Sequence, residues 1–114
     1  MDDKRLLELA AKAAGYKSFE YFETSGDEPG LYVRDDRVGF WRPLSDDGDV
    51  FRLAVKLKLS VWLSETCVTV ECMDDDGPMA VKILEHYTDD NEASRLAVLE
   101  VAAAIGESME NGNG

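Results

Sequence analysis

One stretch near the end of the chain restricts the fold more than any other feature. From Leu96 to Ile105 the only polar residue is Glu100. A helix that is apolar nearly all round is either buried deep inside its own protein or covered by a partner. Asp89 stands where it can cap the start of this helix, with Glu92 three residues later, close to a capping box. The sequence therefore predicts a last helix that needs cover on every side.

The chain of 114 residues has the length of a single domain. We expect one α+β domain over residues 1–110, followed by a disordered tail over residues 111–114. The expected order of elements is α-(β)-α-β-β-β-α, an antiparallel β meander with helices packed on it. Because the two later strands also carry a polar face, the sequence leaves open whether helices cover one face of the sheet or both.

Alternation of apolar residues defines the meander. Its strand candidates are Ser60–Ser64, Cys67–Met73 and, after a hairpin connection over residues 74–78, Met79–Tyr87. Val61 and Leu63 occupy odd positions, whereas Val68 and Val70 occupy even ones. The alternation breaks between the two pairs, so we place a turn or bulge at Glu65–Thr66.

Two helices are expected before the meander. The first covers Leu6 to Ala14, and Gly15 is its natural stop. The second has Ser45 as its N-cap candidate and should end near Leu59. Its expected buried stripe, which has Phe51 and Val55 beside it, consists of Val50, Leu53, Ala54 and Leu57.

The region between these two helices is less regular. Phe19–Phe22 is aromatic and typical of a strand. The following segment, from Leu31 to Trp41, holds either a short strand at Leu31–Arg34 or an irregular hairpin that turns at Asp35–Asp36. No alternation in this segment is clear enough to choose between them.

Acidic residues outnumber basic ones by 24 to 12, which gives a net charge of −12. This balance argues against direct nucleic-acid binding, which needs Lys and Arg at phosphates, and against docking on an anionic membrane. Residues 60–114 hold most of the excess, with twelve acidic and two basic side chains. The candidate acidic interaction surface, which can equally be a solubilising face, consists of Glu71, Asp74, Asp75, Asp76, Glu85, Asp89, Asp90 and Glu92.

The αβββα order over residues 45–107 is also found in double-stranded-RNA-binding domains. Those domains need basic residues at a helix start and in a strand loop. The corresponding positions here carry Asp90, Glu92 and the run Asp74–Asp76. The likeness is therefore one of topology, and topology does not transfer function.

No catalytic, cofactor-binding or metal-binding set is recognisable. His86 is the only histidine, and no Cys or Asp stands at a spacing typical of a nucleophile set. The acidic clusters Asp74–Gly77 and Asp46–Asp49 both miss the spacing of a calcium loop. We therefore expect a protein that is not an enzyme and that has no cofactor and no metal.

The cysteines and the start of the chain predict a cytoplasmic location. Cys67 and Cys72 lie in one predicted strand, roughly 16 Å apart and on opposite faces, so a disulfide between them would require a sharp bend. No run approaches the ~20 apolar residues that span a bilayer. The opening Met1–Arg5 lacks the basic start of a signal peptide.

Residues 41–57 combine a Trp, a Pro that ends the preceding strand, a cap and an amphipathic helix, and read WRPLSDDGDVFRLAVKL. This segment resembles small phage and prophage proteins with the phage ABA sandwich domain, which show Trp-x-Pro-Leu-x-Asp-Asp-Gly-Asp followed by Arg-Leu-Ala-Val-x-Leu. Residues 6–15 and the Ala-rich helix over residues 89–106 also resemble that family. The family would have Asn where Arg42 stands and a more basic last helix.

The resemblance implies a bacteriophage or prophage origin, a location in the cytoplasm of the bacterial host, and helices on both faces of a sheet. It implies no activity. Because there is no catalytic set and the last helix is apolar enough to need a partner, we expect a non-enzymatic accessory protein. Its partner would be another protein, from host or phage, or a second copy of itself.

The alternative is an acidic inhibitor that mimics DNA. Its carboxylates would stand in for phosphates and block a basic nucleic-acid-binding protein of the host or of a defence system. Such binding should weaken steeply with salt.

Overall fold

The computed structural model describes residues 2–23, 29–35, 39–74, 77–85, 87 and 89–111. They form three helices and two three-stranded antiparallel sheets in the order α-βββ-α-βββ-α. The predicted α+β class is confirmed, with one sheet more than expected. In chain order the elements are α1 (Asp3–Ala13), β1 (Phe19–Phe22), β2 (Gly30–Val33), β3 (Gly39–Trp41), α2 (Asp47–Leu57), β4 (Ser60–Leu63), β5 (Cys67–Asp74), β6 (Gly77–Glu85) and α3 (Asp90–Asn111).

The N-terminal sheet contains β1, β2 and β3 in that order. A strand is present near the position predicted for it, as β2, and β3 pairs with it as a hairpin partner. Residue 36 of the predicted turn at Asp35–Asp36 lies outside the described residues. Asp35 fixes the end of β2, since its carboxylate accepts the backbone N–H groups of Lys17 and Ser18. Leu31 and Trp41 are buried, and this inner face packs on α1.

The C-terminal sheet contains β4, β5 and β6 in that order. The predicted break in alternation is confirmed, since Val61 pairs with Val70 and Leu63 with Val68 across a tight turn at residues 64–67. The irregularity of this sheet is a β-bulge at Cys72 and Met73. Residues 75–76 of the expected hairpin connection lie outside the described residues.

Ser45 was predicted as the N-cap of α2, and this prediction is wrong. The N-cap is the next residue, Asp46. The Asp46 carboxylate accepts the N–H groups of Gly48 and Asp49 at 2.8 and 3.3 Å. The Ser45 hydroxyl is buried, and no described residue forms a hydrogen bond with it. The sequence holds adjacent residues of equal capping propensity, and only the entry direction of the chain decides between them. At the other end, Lys58 closes the helix in the left-handed region, at φ 56°.

Helix α3 lies at the centre of the molecule. It packs on α1 along one side and on β5 and β6 along another, and α2 contacts it as well. Of the two alternatives for an apolar helix, burial within its own protein is the one that applies. Asp89 caps α3 as predicted, since its carboxylate accepts the Glu92 N–H at 2.9 Å. The helix runs one residue into the expected tail, and residues 112–114 lie outside the described range.

Close approach between α1 and α3 depends on one glycine. A Cβ atom on Gly106 would lie 2.0 Å from the carbonyl oxygen of Leu9, so no other residue fits there without displacing a backbone. Buried alanines, among them Ala10 and Ala102, continue this contact. Among the described residues, helices cover one face of each sheet, and the other faces expose large side chains such as Tyr32 and Trp62.

Candidate functional site

The predicted acidic surface is divided in the structure. Glu85, Asp89, Asp90 and Glu92 gather with Glu65 around Tyr87, where β6 leads into α3; we call this group the Tyr87 cluster. Other predicted members lie elsewhere, because β5 carries Asp74 at its opposite end, roughly 20 Å away along the strand. Residues 75 and 76, also predicted for this surface, are outside the described part of the chain.

Glu71 belongs to neither group. It lies in the middle of β5, and its carboxylate accepts the indole N–H of Trp62 from the neighbouring strand at 3.3 Å. Within the Tyr87 cluster, desolvation and then the negative charge of Asp90 raise the pKa of Tyr87. Asp89 is occupied as the cap of α3. Among the described residues, the cluster is thus a local patch of surface charge at one end of the C-terminal sheet.

The described residues bring together no set of metal ligands. No three His, Cys, Asp or Glu residues among them are placed to hold a metal ion. His86 lies outside the described residues. Cys67 and Cys72 are half-buried free thiols, as the spacing in the strand predicted.

The motif over residues 41–57 forms a structural junction between β3 and α2. The Trp41 ring is buried and meets Tyr16 edge-on at 5.7 Å. Asp49 accepts the Arg42 backbone N–H at 2.9 Å and also pairs with Arg52 at 2.6 Å. These contacts tie the strand to the helix, so a structural role is enough to explain these polar residues.

An apolar groove of about 490 Å³ lies between α2 and β4. Its helical wall includes Phe51 and Val55, which are 68% and 57% exposed. The strand wall includes Val61 and Leu63, and the floor is α3 at Val98. We call this space the β4 groove. It has the size range of ordinary ligand pockets, and most of its lining is apolar.

The groove exists because α3 covers β5 and β6 and stops short of β4. Cross-strand pairs on the same face show this directly. Val61 is 40% exposed while its partner Val70 is fully buried, and Leu63 is 69% exposed against 1% for Val68. The C-terminal sheet thus extends one strand beyond its helical cover, and α2 stands on the far side of the gap.

The two ends of the groove differ in charge. Lys58 lies at the end where α2 passes into β4. At the other end, Arg95 donates to the Leu44 carbonyl at 2.9 Å and pairs with Asp47 at 2.6 Å, so its charge is already balanced. Glu65 follows β4 at this same end and lines a cavity together with Asp90. The groove therefore runs from a basic end to an acidic end.

The sequence contains a signal for one wall of this groove. Phe51 and Val55 lie beside the predicted buried stripe of α2, at positions where an amphipathic helix usually carries polar residues. On the other wall, alternation placed Val61 and Leu63 on the buried face of the sheet. Their exposure depends on how far α3 reaches sideways, and periodicity carries no information about that distance.

A second exposed apolar face lies on the N-terminal sheet, where the side chains pack against one another. The Phe40 ring contacts Tyr32 edge-on at 5.1 Å and Phe22 at 5.8 Å. Guanidinium groups of Arg34 and Arg42 lie over the Tyr32 and Phe40 rings at 5.5 and 5.3 Å. The rings of this face thus contact neighbouring side chains, whereas no described residue fills the space between the walls of the β4 groove.

In comparisons with protein families, curated proteins and solved structures, the chain has no match. The resemblance of residues 41–57 to a phage family therefore stays a prediction. No helix in the described part of the chain is long and apolar enough to cross a membrane. Function has to be argued from the geometry of the groove.

Proposed function

We propose that this protein is a non-enzymatic protein-binding module whose β4 groove binds an apolar segment of another protein. The observation that carries the proposal is the exposure of Phe51, Val55 and Leu63, each more than half exposed, on facing walls of one groove. Grouped apolar side chains of this kind on a small domain are typical of protein-interaction sites. Covering them would remove apolar surface from water, which is the dominant driving force of association.

This surface replaces the one that the sequence suggested. The last helix was the expected reason for a partner, and it is buried inside the molecule by α1 and the C-terminal sheet. The surface that we propose for protein binding is therefore formed by α2 and β4. The resemblance of residues 41–57 adds the proposal of a phage or prophage accessory protein that acts in the bacterial cytoplasm.

A display library of random linear peptides tests the proposal. We expect peptides rich in apolar residues to be enriched on the full chain. Their binding should fall at least tenfold in V55E, since an apolar peptide would then have to desolvate a carboxylate in the groove wall. Fluorescence anisotropy of the enriched peptides measures both affinities.

V81E is the matched control. Val81 is also an exposed valine, 47% exposed, but it lies on the face of the C-terminal sheet that is turned away from α3. Peptides that bind the β4 groove keep their affinity in V81E. If no enriched peptide distinguishes V55E from V81E, the groove is not the binding site and the proposal is wrong.

DNA mimicry stays the second prediction, and the Tyr87 cluster is the observation that favours it. Its probe is a lysine-rich peptide titrated at increasing salt. Mimicry would be supported if the peptide no longer binds D90N/E92Q. It would also be supported if binding to the wild type is lost between about 50 and about 300 mM salt, because salt screens exposed charges. Because only part of the predicted acidic surface gathers in the Tyr87 cluster, we expect this binding to be weaker than binding in the groove.

A further inference from the structure

We infer that the occupant of the β4 groove is an extended segment of a partner protein that joins the C-terminal sheet as a fourth strand beside β4, with a basic residue at its Glu65 end. This inference rests on the proposed function and adds the conformation and charge of the partner. It follows from the free backbone of β4, from the direction of its side chains and from the charges at the ends of the groove.

The hydrogen bonds of the hairpin decide which backbone groups of β4 are free. The Ser64 N–H donates to the Cys67 carbonyl at 3.0 Å, so these two residues form a hydrogen-bonded pair. Such pairs alternate with non-bonded pairs along an antiparallel ladder. Trp62 therefore bonds to β5, while Val61 and Leu63 turn their N–H and C=O groups away from it.

β4 is an edge strand, since the sheet has the order β4-β5-β6. Among the described residues, no other group bonds to the outward N–H and C=O groups of Val61 and Leu63. An edge with free backbone groups is a template for another strand, and proteins usually protect such edges with charged residues. Lys82 and Glu85 stand in β6, the other edge of the sheet, whereas β4 carries no charge at all.

The same two residues offer both parts of strand recognition. Their backbone groups point outward along the edge, and their side chains line the β4 groove. Residues of an added strand that lie opposite Val61 and Leu63 would point into the groove, against Phe51 and Val55. The residue between them would lie beside Trp62 on the opposite face, because side chains alternate along a strand. Apolar residues at i and i+2 therefore form the recognised pattern, as in other cases of strand addition.

Charge sets which end of the segment lies beside Glu65 and which lies beside Lys58. Glu65 and Asp90 make one end of the edge negative, and Lys58 makes the other end positive. A partner with Lys or Arg next to Glu65 and an acidic residue next to Lys58 matches both ends. A second copy of this chain would bring its own excess of acidic residues to the same place, so we commit to a different protein as the partner.

Hydrogen exchange and peptide chemistry test the strand directly. The probe is the tightest peptide from the display selection, measured by NMR on the full chain. We expect the Val61 and Leu63 amide protons to exchange at least tenfold more slowly when the peptide is bound, and the Trp62 amide to change little. N-methylation of alternate peptide residues should abolish binding in one parity and leave it nearly unchanged in the other.

The charge part is tested with peptides that carry Lys at one end. The affinity of these Lys peptides should fall about tenfold in E65K and rise in K58E. A peptide with Glu in place of that Lys should gain affinity in E65K and lose it in K58E. Equal responses of the two peptides would overturn the placement of a basic residue beside Glu65.

The outcomes separate this inference from the proposed function. A peptide that binds the groove without slowing the exchange of Val61 and Leu63, or that tolerates N-methylation in both parities, leaves the binding function intact and overturns strand addition. Slower exchange that grows with protein concentration in the absence of any peptide would identify a second copy as the occupant, and would overturn the inference of a different partner. Absence of any groove-dependent peptide overturns both.

Discussion

Helices α3 and α2 are both rich in apolar residues, but the fold treats them differently. α3 has cover from α1, α2 and the C-terminal sheet, so that Leu99 and Ala102 are fully buried. α2 contacts α3 along one side and turns Phe51 and Val55 toward an open groove. The apolar residues of α3 stabilise the molecule, whereas those of α2 beside its buried stripe are available for a partner. Total apolarity of a helix thus indicates its place in the core, and only the local packing indicates a binding surface.

The contact between α1 and α3 should be the most sensitive part of this comparison. In G106A the new Cβ would overlap the Leu9 carbonyl oxygen, so one helix must move. We expect a loss of about 3 kcal/mol in the free energy of unfolding, at the upper end of ordinary overpacking effects. Urea denaturation followed by circular dichroism measures it.

A104S is the control for G106A, because Ala104 lies on the exposed side of the same helix. Its effect should stay within about 0.5 kcal/mol. An exposed helical Gly→Ala change normally stabilises by about 1 kcal/mol. If G106A stabilises the protein in this way, α1 and α3 are not in close contact at Gly106.

The caps of the two helices provide a smaller test. D46A and D89A should each lower the free energy of unfolding by about 1 kcal/mol, which is typical of a lost N-cap. Asp46 accepts two N–H groups and Asp89 accepts one, so the effect should be larger at Asp46. Thermal unfolding of the two variants gives the order.

S45A separates the two candidate caps of α2. The Ser45 hydroxyl is buried and has no hydrogen-bond partner within the described part of the chain, so its removal should be neutral or slightly stabilising. A loss in S45A as large as that in D46A would restore Ser45 as the cap that sequence reasoning proposed.

These positions also show which structural features the sequence can predict and which it cannot. Periodicity located all three helices and the strands of the C-terminal sheet, because burial on one face imposes a repeat on the residues. It placed both Val61 and Val70 on the apolar face of the sheet, although Val61 is exposed and Val70 is buried. The need for glycine at 106 depends on a contact with Leu9, nearly one hundred residues earlier in the chain, and no local pattern contains that contact.

The pH dependence of α1–α3 packing should be more modest. Hydrogen bonds from Arg5 and Lys12 lower the pKa of Glu110 from its ordinary 4.5 to about 2. A carboxylate with a lowered pKa in the folded state stabilises the protein fully above pH 4.5, and this contribution is lost as the pH falls toward 2. The melting temperature of E110Q should therefore lie below that of the wild type at pH 7, and the gap should close toward pH 2. A gap that is constant over this window would mean that the ion pairs do not form in solution.

The smallest effect on stability is expected for substitutions in the β4 groove. This small effect is the clearest expected difference between α2 and α3. In F51S and V55S the changed side chains are already exposed in the folded protein, so the free energy of unfolding should stay within about 0.5 kcal/mol of the wild type. L99A removes a fully buried side chain from α3 and should cost about 3 kcal/mol. Urea denaturation compares the three variants under one condition.

Peptide binding should give the opposite order. F51S and V55S remove the wall of the groove, so the peptides that bind the wild type should lose at least tenfold in affinity while the protein keeps its fold. An effect of 2 kcal/mol or more on stability from either substitution would show that Phe51 and Val55 pack within the molecule, like the residues of α3. In that case the groove is closed in solution, and α2 has no surface to offer a partner.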